Sequence, residues 1–561
     1  YDTMYDTTSV QTIQIIKKDG AIVEIEPNKI LKESNNAFMK FSNIYSETSK
    51  ILKGDLPNVE IGDIIRTVKI RTIHNTRMEN NFSNRISVEN YSPILKRYYE
   101  LSLPENINLN IHHINKKNGY VEFSKESKNG KKIYKFNISA APQILYEPSM
   151  ENSNEFAYYI MLTTVDNWEE ISKWYYSLVA PHLDVNEEII TKTKELTADC
   201  KTRKEKVEKL YYWVAKKVRY LGVDKETYKP GYEPHDVSYT FSTLGGVCRD
   251  KAALLVAMLR IAGIDADPIL IAGGYKLNPI APVMWFNHAV VVSYDEKGEP
   301  EFFFDPTDEN SKELFPQYLE DCSYIISSEK GATLKVVPVS PAEKNNTKIS
   351  ISINVDKKNN AVCSLQIDYT GLADGFMRNR LMRMNPQKKQ EMIEGVISKV
   401  HPFANLIDHS ISDPNNTDEY ISMSINFNIP EYISESDGLR FVPLEAFKIS
   451  LSYLYNYQLS AFNLSERKYP FKLNNTYSID ISETIKFPEK MSDISVPQIT
   501  GFNKKGFEFK SSFDSSDNQI ISFNSSFSIN EIHYQKEDFS LLKEEIANLA
   551  SYEKFYLILK K

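Results

Sequence analysis

Three residues with the side chains of thiol acyl-transfer chemistry follow one another through the middle of this 561-residue chain: Cys248, His288 and Asp305. A cysteine attacks a carbonyl as its thiolate, and a nearby imidazole holds the ion pair and later protonates the leaving group. The imidazole in turn needs a carboxylate to fix its tautomer. The residue types and their order therefore favour a nucleophile, a base and a residue that orients the base.

The sequence around Cys248 predicts a helix that is buried on every side. From 250 to 262 nearly every position is apolar. The helix is therefore expected to have no solvent-exposed face and to lie in the middle of a core. Gly263 ends it, and the glycines at 245–246 let the backbone turn tightly just before it. Cys248 is therefore expected at or just ahead of the first turn.

A cysteine at this position has two interpretations. Unpaired backbone N–H groups and the positive end of the helix dipole favour the thiolate of Cys248. Arg249 and Lys251 are expected to act in the same direction, whereas Asp250 opposes them. Against this, a free cysteine beside an apolar helix is more often a small core residue than a nucleophile. The helix alone does not decide between them.

The base and its carboxylate are predicted to lie at strands. MWFNHAVVVSYD (284–295) is typical of a buried strand carrying His288, and EPEFFFDPTDE (299–309) of a second strand ending at Asp305. Adjacent strands can present both side chains to one helix end. Asp305 also precedes a proline, which is a common way to open a turn. His235 competes as the base, but it stands in a loop without a strand to hold it, so His288 is preferred.

These segments resemble the transglutaminase-like superfamily, which is papain-like in architecture. GVCRDKAALLVAMLRIAGIDADPILI, FNHAVV and FFDPTDE each match its pattern, and KVRYLGVD (217–224) resembles the segment that usually precedes its cysteine. The similarity covers roughly residues 160 to 340. It implies that Cys248, His288 and Asp305 occupy the triad positions. By the same analogy the Tyr220 region supplies a second oxyanion donor beside the N–H of Cys248, although Tyr220 is equally well explained as a core aromatic.

Helical periodicity precedes the cysteine. Val207, Leu210, Tyr211, Val214 and Val218 form one apolar stripe, as expected of a helix that packs one face on the core. The loop that follows, 222–246, is rich in Pro, Gly and Tyr and is expected to form one wall of a cleft. Its tyrosines either grip a peptide or pack the loop down, namely Tyr228, Tyr232 and Tyr239.

Composition sets limits on function. The hydrophobic share of 41% and the charged share of 25% are those of a soluble multidomain protein. A net charge of −8 gives no electrostatic reason to expect nucleic acid or anionic lipid as a partner. The most apolar stretch, 252–274, is interrupted by Arg260, Asp265 and Asp267, so it predicts a core and no membrane span. No sequence motif indicates a metal or cofactor.

Three domains are predicted: a β-rich domain at 1–155, a transglutaminase-like domain at 156–340 and a β-rich domain with a helical insertion at 341–561. Lys-Asp-Gly and Asn-Gly turns indicate hairpins in the first, and a Lys-Asn-Asn turn begins the third, with helix near 377–401. Both flanks are similar to domains of Gram-negative envelope proteins. Because the chain begins at Tyr1 without a methionine or leader, an N-terminal piece is expected to precede it.

The sequence therefore predicts an α+β multidomain protein with a papain-like core and two β-rich, sandwich-like flanks. Its expected activity is thiol acyl transfer on peptide or carboxamide bonds, with hydrolysis preferred over transamidation. The alternative is a non-catalytic envelope scaffold that binds a protein or glycan through its β-rich domains. The expected partner is a protein or peptide substrate. Resemblance alone implies a periplasmic, envelope or secreted location.

Overall fold

The computed structural model of the protein describes residues 1–37, 43–45, 47–223, 231–449 and 459–560. It confirms the α+β multidomain class, with β-rich parts on either side of a mixed core. Within these ranges no helix combines the length and the apolar character needed to cross a membrane.

The part up to residue 163, called the N-terminal region, is built from small antiparallel sheets. Both predicted hairpins are confirmed: Ile16 pairs with Ile22, and Lys128 pairs with Lys131. The second turn places Asn129 at φ 54° and Gly130 at φ 72°, as a two-residue Asn-Gly turn requires. The strands are Asp6–Ile16, Ile22–Ile25, Lys32–Asn35, Ile44–Tyr45, Lys50–Lys53, Ile64–Ile73, Ser83–Ser87, Ile94–Pro104, Asn110–Ile114, Val121–Lys128, Lys131–Ala141 and Tyr159–Thr163, with short helices Pro27–Ile30 and Ser153–Phe156.

One strand of this region lies beyond residue 155. Tyr159–Thr163 is the central strand of a sheet whose edges are Ser83–Ser87 and Asn110–Ile114. All five of its residues are buried. This strand leads directly into the first helix of the core, so the N-terminal sheets and the core are joined without a linker.

The middle region, 164–340, is a helical layer packed on an antiparallel sheet. Helix Cys248–Ile261, called the cysteine helix, is buried at every position from 250 to 259. The prediction of burial up to 262 was too long, because Arg260 is exposed and residues 261–262 are partly buried. The five strands of the sheet run in the order Pro300–Phe304, His288–Tyr294, Ala266–Ile271, Ser323–Ile326 and Lys335–Val336. The other elements are helices Trp168–Val179, Glu187–Thr197, Arg203–Lys217 and Val237–Thr243 and the two-residue strands Arg219–Tyr220, Gly222–Val223 and Gly245–Gly246.

The strand that carries His288 is shorter than predicted. It begins at His288 itself, not at residue 284. The side-chain amide of Asn287 takes up both backbone groups of Gly273, accepting from its N–H at 2.7 Å and donating to its C=O at 3.1 Å. The Ile271–His288 pair is therefore the terminal pair of the ladder, which places the imidazole at the end of its strand.

The C-terminal region, 341–560, centres on an eight-stranded sheet. The predicted helical piece at 377–401 consists of two helices, because Asn385 caps a new helix whose first residue is Pro386. The helices are Leu372–Met382, Pro386–Val400 and Phe539–Ser551, and the strands are Asn346–Val355, Ala361–Tyr369, Asn405–Ile411, Ser422–Ile429, Ser434–Ser436, Leu439–Pro443, Phe471–Lys472, Tyr477–Lys486, Asp493–Ser495, Phe502–Lys504, Phe507–Asp517, Ile520–Ile529, His533–Tyr534 and Tyr556–Lys560.

Candidate active site

Cys248 is the first residue of its helix, and local capping fixes the turn that presents it. The Asp250 carboxylate reaches back and accepts the backbone N–H of Val247 at 2.9 Å. Gly246 makes this possible, because a Cβ at that position would lie only 2.6 Å from the Cβ of Asp250. From the sequence, the Asp250 carboxylate was expected to disfavour the thiolate. In the structure this carboxylate caps the helix.

His288 and Asp305 form a hydrogen-bonded pair. His288 Nε2 lies 2.8 Å from Asp305 Oδ2, which leaves Nδ1 as the ring nitrogen that can face the thiol. The other carboxylate oxygen, Oδ1, accepts from the N–H of Thr307 at 3.0 Å and from its hydroxyl at 2.7 Å. Because the Asp305 side chain is fully buried, these bonds hold it in one orientation.

The structure brings Cys248 to this pair, and the three groups perturb one another. Burial opposes ionisation of the thiol, but its hydrogen bond with His288 and the imidazolium charge outweigh it, and the pKa of Cys248 falls below its ordinary value. Burial also disfavours the imidazolium, yet Asp305 and Cys248 raise the pKa of His288 well above its usual range. The same charges hold the pKa of the buried Asp305 carboxyl below its ordinary value. The arrangement favours a thiolate–imidazolium pair at neutral pH.

Tyr220 stands beside the cysteine. The two-residue strand Arg219–Tyr220 runs parallel to Gly245–Gly246, just before the cysteine helix. Burial and the neighbouring Cys248 raise the pKa of the tyrosine, whose hydroxyl contacts both the thiol and the backbone N–H of Cys248. The hydroxyl and this N–H thus converge next to the sulfur. The sequence was compatible with Tyr220 either as a core aromatic or as an oxyanion donor. Only the pairing of its strand shows its position.

Lys251 has a different partner from the one expected. Its ammonium group donates to the C=O of Ala215 at 3.0 Å and to the C=O of Val218 at 2.6 Å. It therefore caps the end of helix Arg203–Lys217, whose predicted apolar stripe is buried as expected. Burial lowers the pKa of Lys251 to about 8. The lysine joins the cysteine helix to the segment that carries Tyr220.

His235 is bonded to Asp250, whereas the hydrogen bond to the thiol of Cys248 comes from His288. Its ring Nδ1 lies 3.1 Å from Asp250 Oδ1, and its backbone N–H donates to the same oxygen at 2.9 Å. Of the loop tyrosines, Tyr232 packs edge-on against Trp174 and donates to the C=O of Phe286 at 2.8 Å. Tyr239 is exposed, and Tyr228 lies outside the described residues.

Cys248 opens onto a cleft of about 1030 Å³ between the core and the N-terminal region. One wall contains the start of the cysteine helix and Tyr220. The N-terminal region contributes Tyr5, Arg71 and Arg77 to the lining. Across the described part of the chain, no group of three His, Cys, Asp or Glu side chains is placed to hold a metal ion.

Three family models match successive parts of the chain. The transglutaminase-like superfamily matches residues 190–299, the domain of unknown function DUF3857 matches residues 1–144, and DUF3858 matches residues 446–559. The first match thus contains Cys248 and His288 of the site. The other two matches lie in the N-terminal and C-terminal regions. No curated protein matches the chain.

Two solved structures are similar to it. A protein from Parabacteroides distasonis, provisionally described as a protease, aligns at 14% identity with a TM-score of 0.63 over 100% of this chain and 90% of that one. This likeness shows a shared fold. A protein from Cytophaga hutchinsonii, provisionally described as a cysteine protease, aligns at 15% identity with a TM-score of 0.20 over 46% of this chain and 88% of that one.

Proposed function

Because this chain carries a transglutaminase-like domain between a DUF3857 domain and a DUF3858 domain, we propose that it is a cysteine hydrolase of peptide or carboxamide bonds. The proposal depends on one observation: the His288 imidazole stands between the Cys248 thiol and the Asp305 carboxylate, and Cys248 lines a cleft. A core cysteine would need neither the imidazole nor the cleft.

Acylation of Cys248 is the first step of the proposed reaction. The thiolate attacks the carbonyl carbon, and the C=O electron pair moves onto the oxygen. We assign the backbone N–H of Cys248 and the Tyr220 hydroxyl as the donors to that oxygen, because both lie beside the sulfur. As the C–N bond breaks, His288 gives its Nδ1 proton to the departing amine, leaving a thioester on the sulfur.

Deacylation reverses these roles. Neutral His288 takes a proton from water while the water oxygen attacks the thioester, and the acid leaves as the thiolate and imidazolium re-form. Asp305 keeps Nε2 protonated throughout, so Nδ1 is the nitrogen that exchanges protons. We favour water as the acceptor because the cleft admits solvent, and an amine in its place would give transamidation.

The substrate is proposed to be a protein or peptide, and the setting the periplasm or cell envelope. Both follow from resemblance to envelope proteins with the same order of domains. The competing proposal is a scaffold whose β-rich flanks bind a protein or glycan. It predicts that the thiol can be removed without consequence.

Cys248→Ala tests the proposal, with Cys200→Ala as the matched control because Cys200 is also partly buried but lies after the end of helix Glu187–Thr197. The assay follows release of new amino termini from a mixture of denatured proteins, with and without a fluorescent primary amine. The rate is expected to fall at least about 1,000-fold in Cys248→Ala and to stay unchanged in the control. Incorporation of the fluorescent amine measures transamidation. Equal rates in wild type and Cys248→Ala would contradict the proposal.

A further inference from the structure

The cleft that Cys248 lines also contains a guanidinium group that has no carboxylate partner among the described residues. Arg77 belongs to the N-terminal region and is exposed, yet it lines the same cleft as Cys248. Its guanidinium carbon lies 4.1 Å from the centre of the Tyr5 ring and 5.8 Å from that of Tyr232. The neighbours of this cation are therefore aromatic faces.

The Arg77 guanidinium packs against its neighbours although the residue is exposed. Arg77 contacts the backbone at Gly231 so closely that any Cβ there would collide with its Nη1 atom. Cation–π attraction to Tyr5 and Tyr232 acts on the same group. An arginine held this way loses little side-chain entropy when a ligand binds, which favours recognition.

The carboxylates that share the cleft are engaged elsewhere. Asp6 pairs with Arg71, and Asp250 accepts from Val247 and His235. Asp2 accepts the N–H of Met4 at 3.0 Å. None of them forms an ion pair with Arg77 among the described residues, so this cation is open to a ligand in the cleft that Cys248 also lines.

We propose that Arg77 is a specificity-determining residue that binds a carboxylate of the substrate, so that the enzyme prefers acidic peptides. This inference rests on the proposed hydrolase function. A guanidinium forms two parallel hydrogen bonds with a carboxylate, a geometry that a neutral amide cannot reproduce. The carboxylate is supplied either by an Asp or Glu side chain or by the free carboxyl terminus of the peptide.

The first test compares alkylation of Cys248 by iodoacetate, an anion, with alkylation by neutral iodoacetamide, each located by peptide mass mapping. Arg77→Gln is expected to lower the iodoacetate-to-iodoacetamide rate ratio roughly fivefold at low salt, because one charge leaves the cleft. Arg77→Lys should retain most of the ratio. Arg66→Gln is the matched control, since this arginine is exposed on the same region but bonds Gln14 outside the cleft.

The second test measures how well peptides protect Cys248 from iodoacetamide, which needs no turnover. Three sets of equal length are compared: amidated peptides with one Glu, their Gln counterparts, and the Gln peptides with a free carboxyl terminus. Better protection by the Glu set identifies a side-chain carboxylate, and by the free-terminus set a terminal one. Either preference should disappear in Arg77→Gln.

The outcomes separate the two proposals. If Cys248 reacts with iodoacetamide no faster than Cys200, the thiol is inert and both are overturned. If Cys248 is reactive but both the rate ratio and the peptide preference survive in Arg77→Gln, the carboxylate subsite is overturned and the hydrolase proposal stands. Loss of either the ratio or the preference in Arg77→Gln supports the subsite.

Discussion

Two histidines of this molecule, His288 and His533, bind acidic side chains in nearly the same way but differ in their other contacts. At the candidate active site, His288 bonds Asp305 through Nε2 at 2.8 Å. Where the three regions meet, His533 bonds Asp321 through Nε2 at 2.8 Å and Glu151 through Nδ1 at 2.7 Å. Each pairing raises the histidine pKa, that of His533 to about 9 through its hydrogen bonds to Asp321 and Glu151.

The difference lies in the second ring nitrogen. Both nitrogens of His533 are occupied by carboxylates that come from other parts of the chain, so the imidazolium links the C-terminal region to segments before it. Lys472 adds a further ion pair to Asp321 at 2.7 Å. His288 keeps one nitrogen for a group that can itself ionise, the thiol of Cys248.

A histidine with a raised pKa is not by itself evidence of catalysis. A carboxylate partner and a raised pKa occur at both places, because structural ion pairs perturb pKa values as active sites do. A catalytic assignment requires in addition a ring nitrogen directed at a nucleophile and a cleft through which substrate reaches it. Of these two histidines, His288 alone meets both conditions.

The largest expected effect is on the alkylation rate of the Cys248 thiol. His288→Gln removes the imidazolium that stabilises the thiolate, so the pKa of Cys248 should rise and its alkylation by iodoacetamide at pH 6 should slow about 30-fold. In His533→Gln the rate should stay within about twofold of wild type, because the ring is remote from the sulfur. Rates measured by peptide mass mapping that fall equally in the two variants would contradict the distinction.

The second prediction concerns the pH dependence of stability. The pKa of His533 is raised in the folded protein, so its stabilisation is fully present below the unfolded pKa near 6.5 and is lost as pH rises through about 9. With a side chain 37% exposed, solvent screening reduces the contribution to about 1–2 kcal/mol.

Thermal unfolding of wild type and His533→Gln at pH 6.5 and pH 10 measures this contribution. The midpoint of the wild type should fall further between the two pH values, by about 1–3 °C more than that of the variant. Other titrating groups act on both proteins and cancel in the comparison. An identical fall in the two proteins would show that His533 carries no such linkage.

The smallest expected effect comes from removing a hydrogen bond to the Asp305 carboxylate at the candidate active site. Thr307→Val keeps the shape of the side chain but removes the hydroxyl that donates to Asp305 at 2.7 Å. The turnover rate is expected to fall about three- to tenfold, with about 1 kcal/mol lost in stability. Thr193→Val is the matched control, because this buried hydroxyl bonds the C=O of Ile189 at 2.8 Å far from the site. Equal turnover in both variants would refute a positioning role for Thr307.

Much of the local structure could be predicted from the sequence. Apolar residues on every side of 250–259 leave a helix no exposed face, and Asn-Gly at 129–130 supplies the two left-handed residues that a tight hairpin needs. The order of Cys248, His288 and Asp305 was also readable, because residue type and strand pattern belong to short segments. Their joint role remains a prediction that the variants above address.

Contacts between distant segments could not be predicted. Lys251 donates to the end of helix Arg203–Lys217, and Asp250 caps its own helix while it holds His235. A charge pattern shows which residues are near in sequence but not the direction in which a buried side chain leaves its helix.

The sequence by itself determined where helices, hairpins and reactive side chains occur, since burial and backbone preference are recorded in each stretch of residues. Only the tertiary structure decided which groups meet. It directs Nε2 of His288 to Asp305, sets Tyr220 beside Cys248 through a two-residue parallel pairing, and brings Arg77 from another region into the cleft. The physical reason is that such contacts arise from the packing of whole sheets and helices against one another, which no local period encodes.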